Sequence, residues 1–412
     1  MRRLRRTTIN FSNTEAGVKN VSSVLSLALS TLFVDHDKRI HRPNCTCVDH
    51  GESGYRRVSL IRVPSTGGGE AFLSQNGPSF RRAISDLPLS RARWRLARTL
   101  LRSASRIGLQ RLPLVPHVDV WLPDGEGSLA PDFSVLSGVK DASQKIIVRQ
   151  HSSSGVGDVI WKIGAGGCAA AGIQAEVRAY HWLACRGIDG VLAPKLLGDG
   201  SEGEIKWFKA SEIKGTRPPL KLDWKVRGFL DRLREPEAGT QASLKEEWVT
   251  KIRTSLEFRK KNSEDCHSRE FEGDLALLLV NVERDHLPFG IAHGDLTPWN
   301  TRCHEGVILA YDWEWFSAVS SPWFDEIHWT VQTSALVRHD SAETTFERTV
   351  DVLAPRGVSR SQAARALGLY AVEVISQGRE GPPATGPVPP QHVWLRTLRR
   401  TLLDLAMAEM EC

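Results

Sequence analysis

A change of hydrophobic period near Gly215 constrains this chain more than any single motif. Between Asp132 and Glu212 the apolar residues come in short alternating runs: DFSVLSGV, KIIVRQ, DVIWKIG, VLAPKLL and EIKWFKASEI, interrupted once by the helical AEVRAYHWLA. Runs of that length and alternation read as strands. After Gly215 the apolar residues recur three and four positions apart in DWKVRGFLDRL, SLKEEWVTKIRTSLEF, FEGDLALLLVNVERD, FDEIHWTVQTSALV and SRSQAARALGLYAVEVISQ. That is helical spacing. Strands with one crossover helix, followed by helices alone, make an α+β chain of two lobes. The expected division is a β-rich lobe at 121–214 and a larger helical lobe at 215–412. The stretch GPPATGPVPP at 381–390 cannot continue a helix, and Val393 to Met410 is predicted to form a last amphipathic helix.

The N-terminal 120 residues carry a different signal. Residues 1 to about 85 are rich in Ser, Gly, Arg and His, with a breaker cluster at Ser65-Thr66-Gly67-Gly68-Gly69 and no sustained period. They are expected to be loosely structured, as the start of an extension over 1–120. Within it, Leu89 to Leu109 places Trp94, Ala97, Leu101 and Ala104 at helical spacing, with Arg91, Arg95, Arg98, Arg102 and Arg106 around them. This predicts a basic amphipathic helix that lies on the next domain, a weak membrane-surface contact being its other use.

Composition excludes several classes. With 54 Lys+Arg against 48 Asp+Glu, the net charge of +6 over 412 residues favours anionic ligands mildly and is too small for a nucleic-acid binder. A 41% hydrophobic, 25% charged composition is that of a folded chain. The seven cysteines are odd in number and scattered, which predicts reduced thiols and a cytoplasmic setting. Cys45 and Cys47 lie near His36, His41 and His50, but a lone C-x-C without a second pair at zinc spacing is not read as a metal site. The apolar run from Val21 to Val34 is shorter than the roughly 20 residues of a membrane span. Oligomeric state is not legible in the sequence.

The chemistry concentrates in IAHGDLTPWNTRCHEGVILAYDWEW, Ile291 to Trp315. His293, Gly294 and Asp295 are followed by Asn300, and the apolar run ILAY, read as a strand, then delivers Asp312. Phosphoryl transfer requires this kind of set: a carboxylate to orient and deprotonate the attacking hydroxyl, and an amide with a second carboxylate as hard oxygen ligands for magnesium. It also requires a cation over the phosphates. Lys162, on the strand DVIWKIG, with Glu176 at the start of the next helix, supplies a cation and a carboxylate to hold it. His293 is expected to brace the loop through a neighbouring carbonyl or Asp312 while Asp295 acts. The four tryptophans near the motif, Trp299, Trp313, Trp315 and Trp323, are assigned to packing rather than to stacking on a ligand. One competing pattern, G-x-G-x-x-A at Gly164 to Ala169, fits a dinucleotide fingerprint. A doubly wound series of βα units does not follow it, so its glycines are read as a flexible link.

These residues resemble the aminoglycoside phosphotransferase and choline kinase group, the small-molecule branch of the protein-kinase-like fold. The resemblance rests on H-G-D-L-T-P-W-N at 293–300 and D-W-E at 312–314, is supported by Lys162, Glu176 and Asp325 in SPWFDEIHW, and covers about 132–412. It implies a bilobal fold and Asp295 as the catalytic base. Asn300 and Asp312 become magnesium ligands, and Lys162 the phosphate contact held by Glu176. Asp325 becomes a brace under the loop. The hinge that takes the base of ATP or GTP through backbone groups falls near Ser211 to Ile213. The sequence departs from the wider kinase pattern at 137–143, where a single glycine replaces a glycine-rich loop. The implied activity is ATP- and magnesium-dependent transfer of a γ-phosphoryl group to a hydroxyl of a small molecule: an amino alcohol, a sugar or glycolipid precursor, or an aminoglycoside. The rival reading is a catalytically silent, nucleotide-binding scaffold that docks on a partner or membrane surface. A protein kinase is disfavoured, because no A-P-E motif closes an activation segment after Asp312.

Overall fold

The computed structural model describes residues 55–64, 70–75, 77–86, 117–123, 133–137, 144–151, 157–188, 192–234, 241–262, 268–280, 285–377 and 390–411, with single positions between them. It divides into two units, one of residues 1–140 and 146–156, the other of 141–145 and 157–412.

In the first unit, strands β1 (Tyr55–Pro64), β2 (Glu70–Ser74), β3 (His117–Pro123), β4 (Phe133–Ser137) and β5 (Lys145–Gln150, its first residue counted with the second unit) lie in the order β3-β1-β2-β4-β5. Helix α1 (Gly77–Asp86) follows β2. Ile61, Ala71, Leu73, Phe80, Ala83 and Ile84 form the unit's own buried core. Within the stretch of about 85 residues expected to be loosely structured, the described segments 55–64, 70–74 and 77–86 are thus two strands and a helix. The apolar positions of YRRVSLIRVP and EAFLS are set among arginines and serines, so their alternation is diluted, yet the two segments pair antiparallel from Leu60↔Ser74 to Pro64↔Glu70. The basic helix expected at 89–109 falls almost wholly outside the described residues, as does the Cys45–Cys47 cluster.

The second unit begins with β6 (Val159–Ala165), helix α2 (Gly167–Cys185), β7 (Leu196–Glu202) and β8 (Ile205–Ser211). Strand β8 pairs antiparallel with both β6 and β7. The described pairings are therefore not those of a doubly wound parallel sheet, and the glycine-rich GAGGCA is a tight strand-to-helix link. Gly166, at φ +72, precedes the first helical turn, a conformation that costs glycine little.

Helices α3 (Trp224–Arg234), α4 (Gln241–Asn262) and α5 (Ser268–Leu279) follow. Two short ladders then interrupt the helical half: β9 (Gly290–Ala292) pairs with β12 (Ser317–Ser320), and β10 (Thr301–His304) with β11 (Val307–Ala310). The chain ends in α6 (Phe324–Thr333), which runs into a wider turn at Ser334–Arg338, then α7 (Ala342–Leu353), α8 (Arg360–Ser376) and α9 (Pro390–Glu411). Helix α8 is capped by Ser359, whose hydroxyl accepts from the Gln362 N–H while the Gln362 side chain accepts from the Ser359 N–H. It is buried along most of its length, and its aliphatic side chains meet α6, α7 and α9 in one apolar cluster. A second cluster joins α2, β8 and α3 to Trp313 and Trp329. The site is held between these two bodies of packed side chains.

Candidate functional site

Lys162 sits in the middle of β6, opposite Phe208 of β8, and its ammonium lies among acids from two other elements. Nζ donates to both oxygens of Glu176, at 3.0 and 2.8 Å, and to Oδ1 of Asp312 at 2.8 Å. Glu176 projects from α2, is fully buried, and also accepts from the Tyr180 hydroxyl one turn on, at 3.2 Å. Burial alone would lower the Lys162 pKa, but the adjacent Asp312 and Glu176 outweigh it and hold the ammonium well above the ordinary lysine range. Burial likewise pushes Asp312 upward, and Lys162 followed by Lys145 reverses that, bringing it down to about 2. Lys145 pairs directly with Glu314, the acid of D-W-E. The Lys162 ammonium and the Asp312 carboxylate thus stay charged across the physiological range.

The loop from His293 to Asn300 is built on backbone groups. Asp325, in the first turn of α6, accepts from the N–H of His293 at 2.8 Å and of Gly294 at 3.1 Å. Gly294 has φ +87, and a Cβ there would come within 2.1 Å of the Trp315 carbonyl oxygen, so the close approach of the loop to that segment requires glycine. His293 is fully buried. Its Nδ1 accepts from the Asp295 N–H at 3.2 Å, and its Nε2 lies 3.1 Å from the Tyr311 carbonyl oxygen. A neutral ring with its proton on Nε2 satisfies both partners at once. Burial lowers the His293 pKa to about 4 against the pull of Asp295 and Asp312, which keeps that neutral ring in place. The imidazole therefore ties the backbone of Asp295 to the residue before Asp312, the carbonyl brace expected from the sequence.

Asp295 is held from both sides. Asn300 Nδ2 donates to Oδ2 at 2.8 Å and to the Asp295 carbonyl at 3.0 Å. On the other side, His328 Nε2 lies 2.9 Å from Oδ1. Asp312 closes β11 with φ +72, a left-handed backbone that is costly outside glycine and tends to persist at functional sites. Asp295 and Asp312 keep 30% and 31% of their side-chain surface open, so the two acids are reachable while everything that orients them is covered. Trp313 is fully buried, with its indole N–H on the Ala310 carbonyl at 2.9 Å, in keeping with a packing role.

Each residue singled out in the sequence can thus be placed. Lys162, Glu176 and Asp312 are in direct contact; Asp295, Asn300 and His293 form a second hydrogen-bonded set, joined to the first through Tyr311. Ser211 is the last residue of β8, and Ile213 follows two positions on. The Ser211 N–H is taken by the Lys195 carbonyl and the Glu212 N–H by the Asp158 carbonyl, both at 2.9 Å, and Ile213 lies just beyond these bonds. Three residues were missed by sequence reasoning: His328, Tyr180 and the Lys145–Glu314 pair's lysine. His328 was findable, since it lies three positions after Asp325 and so on the same face of α6. Lys145 has no sequence signal beyond its charge.

No protein-family model matches the chain, and no curated protein does. Among solved structures, it is similar to a thermostable mutant of aminoglycoside phosphotransferase APH(4)-Ia in ternary complex with ADP and hygromycin B, at 11% identity and a TM-score of 0.45, over 67% of this chain and 93% of that one. Amicoumacin kinase hAmiN, in complex with AMP-PNP, calcium and amicoumacin, matches at 14% identity and a TM-score of 0.40, over 65% and 88%. The choline kinase LicA from Streptococcus pneumoniae matches at 16% and 0.39, over 63% and 90%.

Proposed function

We propose that this chain is a phosphotransferase that uses ATP or GTP with magnesium to phosphorylate a hydroxyl group of a small molecule. The observation that carries the reading is the placement of Lys162 between Glu176 and Asp312, with Asp295 fixed on the adjoining loop. Lys162, kept charged by two carboxylates, is the contact for the nucleotide phosphates. Glu176 fixes its direction. Backbone groups near Ser211 to Ile213 receive the base.

Asn300 and Asp312 offer an amide and a carboxylate oxygen, the hard donors magnesium prefers. Among the described residues no group of three or more His, Cys, Asp or Glu side chains is gathered around one point. That suits an ion which takes one or two protein ligands and completes its shell with phosphates and water. When bound, magnesium would neutralise charge on the phosphates as the bond to the leaving group lengthens. Asp295 orients the acceptor hydroxyl and takes its proton as the oxygen attacks the γ-phosphorus in line. His293 holds the spacing between Asp295 and Asp312, and Asp325 pins the loop from below. Catalysis in this scheme is positioning and charge neutralisation, with no covalent enzyme intermediate.

The test is transfer of label from γ-labelled ATP to a panel of amino alcohols, sugars and aminoglycosides, with phosphate release to water measured alongside. Transfer that falls by about 10²- to 10⁴-fold in Asp295→Ala, the range of a lost general base, supports the assignment. Nucleotide binding without transfer to any acceptor or to water would point to the silent scaffold instead.

A further inference from the structure

Asp295 has a second partner that the phosphotransfer scheme does not use. His328 is buried in α6, with Nε2 2.9 Å from Asp295 Oδ1 and Nδ1 3.1 Å from the Tyr370 hydroxyl of α8. Its ring is also stacked on Phe324, with centroids 5.7 Å apart and planes 13° from parallel. The imidazole is therefore fixed in plane by an aromatic face and at both nitrogens by polar partners.

The partners select the tautomer. A carboxylate oxygen only accepts, so the ring nitrogen facing it must carry hydrogen, and in the neutral ring Nδ1 then accepts from the Tyr370 O–H. The opposite tautomer would set a bare nitrogen against a carboxylate. A one-way chain results, from Tyr370 O–H to His328 Nδ1 and from His328 Nε2–H to Asp295 Oδ1. Asn300 supplies the donor to the other oxygen. With one donor on each oxygen, rotation of the carboxylate about its Cβ–Cγ bond breaks two hydrogen bonds at once.

We propose that His328, set by Tyr370, is the positioning residue that aims the Asp295 carboxylate at the acceptor hydroxyl. This deepens the phosphotransferase reading and rests on it. Asn300 does not do this work alone, because its Nδ2 donates to Oδ2 and to the Asp295 carbonyl and leaves Oδ1 to His328. His328 lies on the far side of Asp295, anchored in the helical core, and holds the base whatever the state of Asn300. Partners of this kind, one step removed from the reacting atoms, change activity by about 10- to 100-fold when removed.

The experiment compares wild type, His328→Leu, His328→Gln and Tyr370→Phe as full chains, by phosphate release from ATP with magnesium and by nucleotide-dependent melting. The leucine variant should lose about 10- to 100-fold in kcat with KM for ATP and the nucleotide-induced rise in Tm unchanged. The glutamine variant, whose amide can still donate to Oδ1, should recover to within several-fold of wild type, and Tyr370→Phe should fall between. Wild-type kcat in His328→Leu, or equal losses in the leucine and glutamine variants, would overturn the proposal while leaving the phosphotransferase reading intact. If the leucine variant does not fold, the ordering of the other two decides: Tyr370→Phe equal to wild type would overturn the proposal. A wild type with neither turnover nor a melting shift removes the reading itself, and the inference with it. Nitrogen-15 NMR of the histidine side chains gives a readout apart from catalysis. Protonated Nε2 with bare Nδ1 at His328 is expected, and the reverse tautomer would refute the chain of donors.

Discussion

Lys162 and its two acids show how residue identity sets the local chemistry. A lysine inside a strand is ordinarily a solvated side chain; here its ammonium is covered and faces Glu176, which has no exposed surface. Removing one member of a buried ion pair costs about 3–5 kcal/mol, because the other charge is left without compensation. Lys162→Met should therefore destabilise the chain by about that amount, and adding Glu176→Gln should return part of it. A double-mutant cycle by denaturant titration measures the coupling, and strictly additive losses would deny it. His293 supplies a pH-dependent prediction. An unfolded histidine takes its proton near pH 6.5, whereas the folded one takes it at about 4. Between those values the unfolded chain binds more protons, so the stability from neutral His293 is complete above pH 6.5 and declines as pH falls toward 4. The full loss is about 3 kcal/mol. Asp325, lifted by burial to about 7, has the opposite slope, but it is present in wild type and in His293→Gln alike. The stability advantage of wild type over His293→Gln should shrink as pH drops from 6.5 to 4, and a constant difference would contradict the buried neutral ring. At this scale Asp295, Asn300 and Asp312 were legible because loop spacing displays them, and His328 was passed over, its one signal being its place three positions after Asp325 on the same face of α6.

The elements that hold the site are the shortest ones. Strands β9, β10, β11 and β12 have three or four residues each, too few to display a period in the sequence. Only the run that becomes β11 was read as a strand; β9, β10 and β12 were not. The β9–β12 pairing sets the segment after Asp312 beside the strand that leads into His293, and the glycine at the junction is what allows the approach. Gly294→Ala places a methyl group against the Trp315 carbonyl and forces an alanine into a left-handed backbone, a strain of about 1–3 kcal/mol before the clash is counted. The expected result is a lower Tm together with lost turnover, and an alanine variant of full activity would show that the loop does not need this geometry. Most of the long helices of the second half were legible, since three to six turns give the period room to appear. Helix α7 was passed over: AETTFERTVDVL buries two threonines, Thr345 and Thr349, on its inner face, and polar letters at core positions conceal the spacing. Both hydroxyls donate to carbonyls four residues back, which is how the helix satisfies them.

At the scale of the whole molecule, the α+β order was legible from the shift of period at Gly215, and the N-terminal strands were not. Arginine and serine letters set among the apolar ones dilute the alternation there, and the pairing of β1 with β3, between residues more than fifty positions apart, has no local signature. Among the described residues no helix is long and apolar enough to cross a membrane. The two units have separate cores, and the charged cluster and the catalytic-type loop belong entirely to the second. The central claim, that this cluster holds nucleotide through magnesium, is tested most directly by thermal melting of the full chain with ATP or GTP, with and without magnesium, in wild type and in Asp312→Ala. A ligand at about 100 times its Kd adds about 2.7 kcal/mol to the native state. The account predicts a magnesium-dependent rise of several degrees in wild type that Asp312→Ala lacks. Equal melting with and without nucleotide and magnesium, at millimolar ligand, would contradict it.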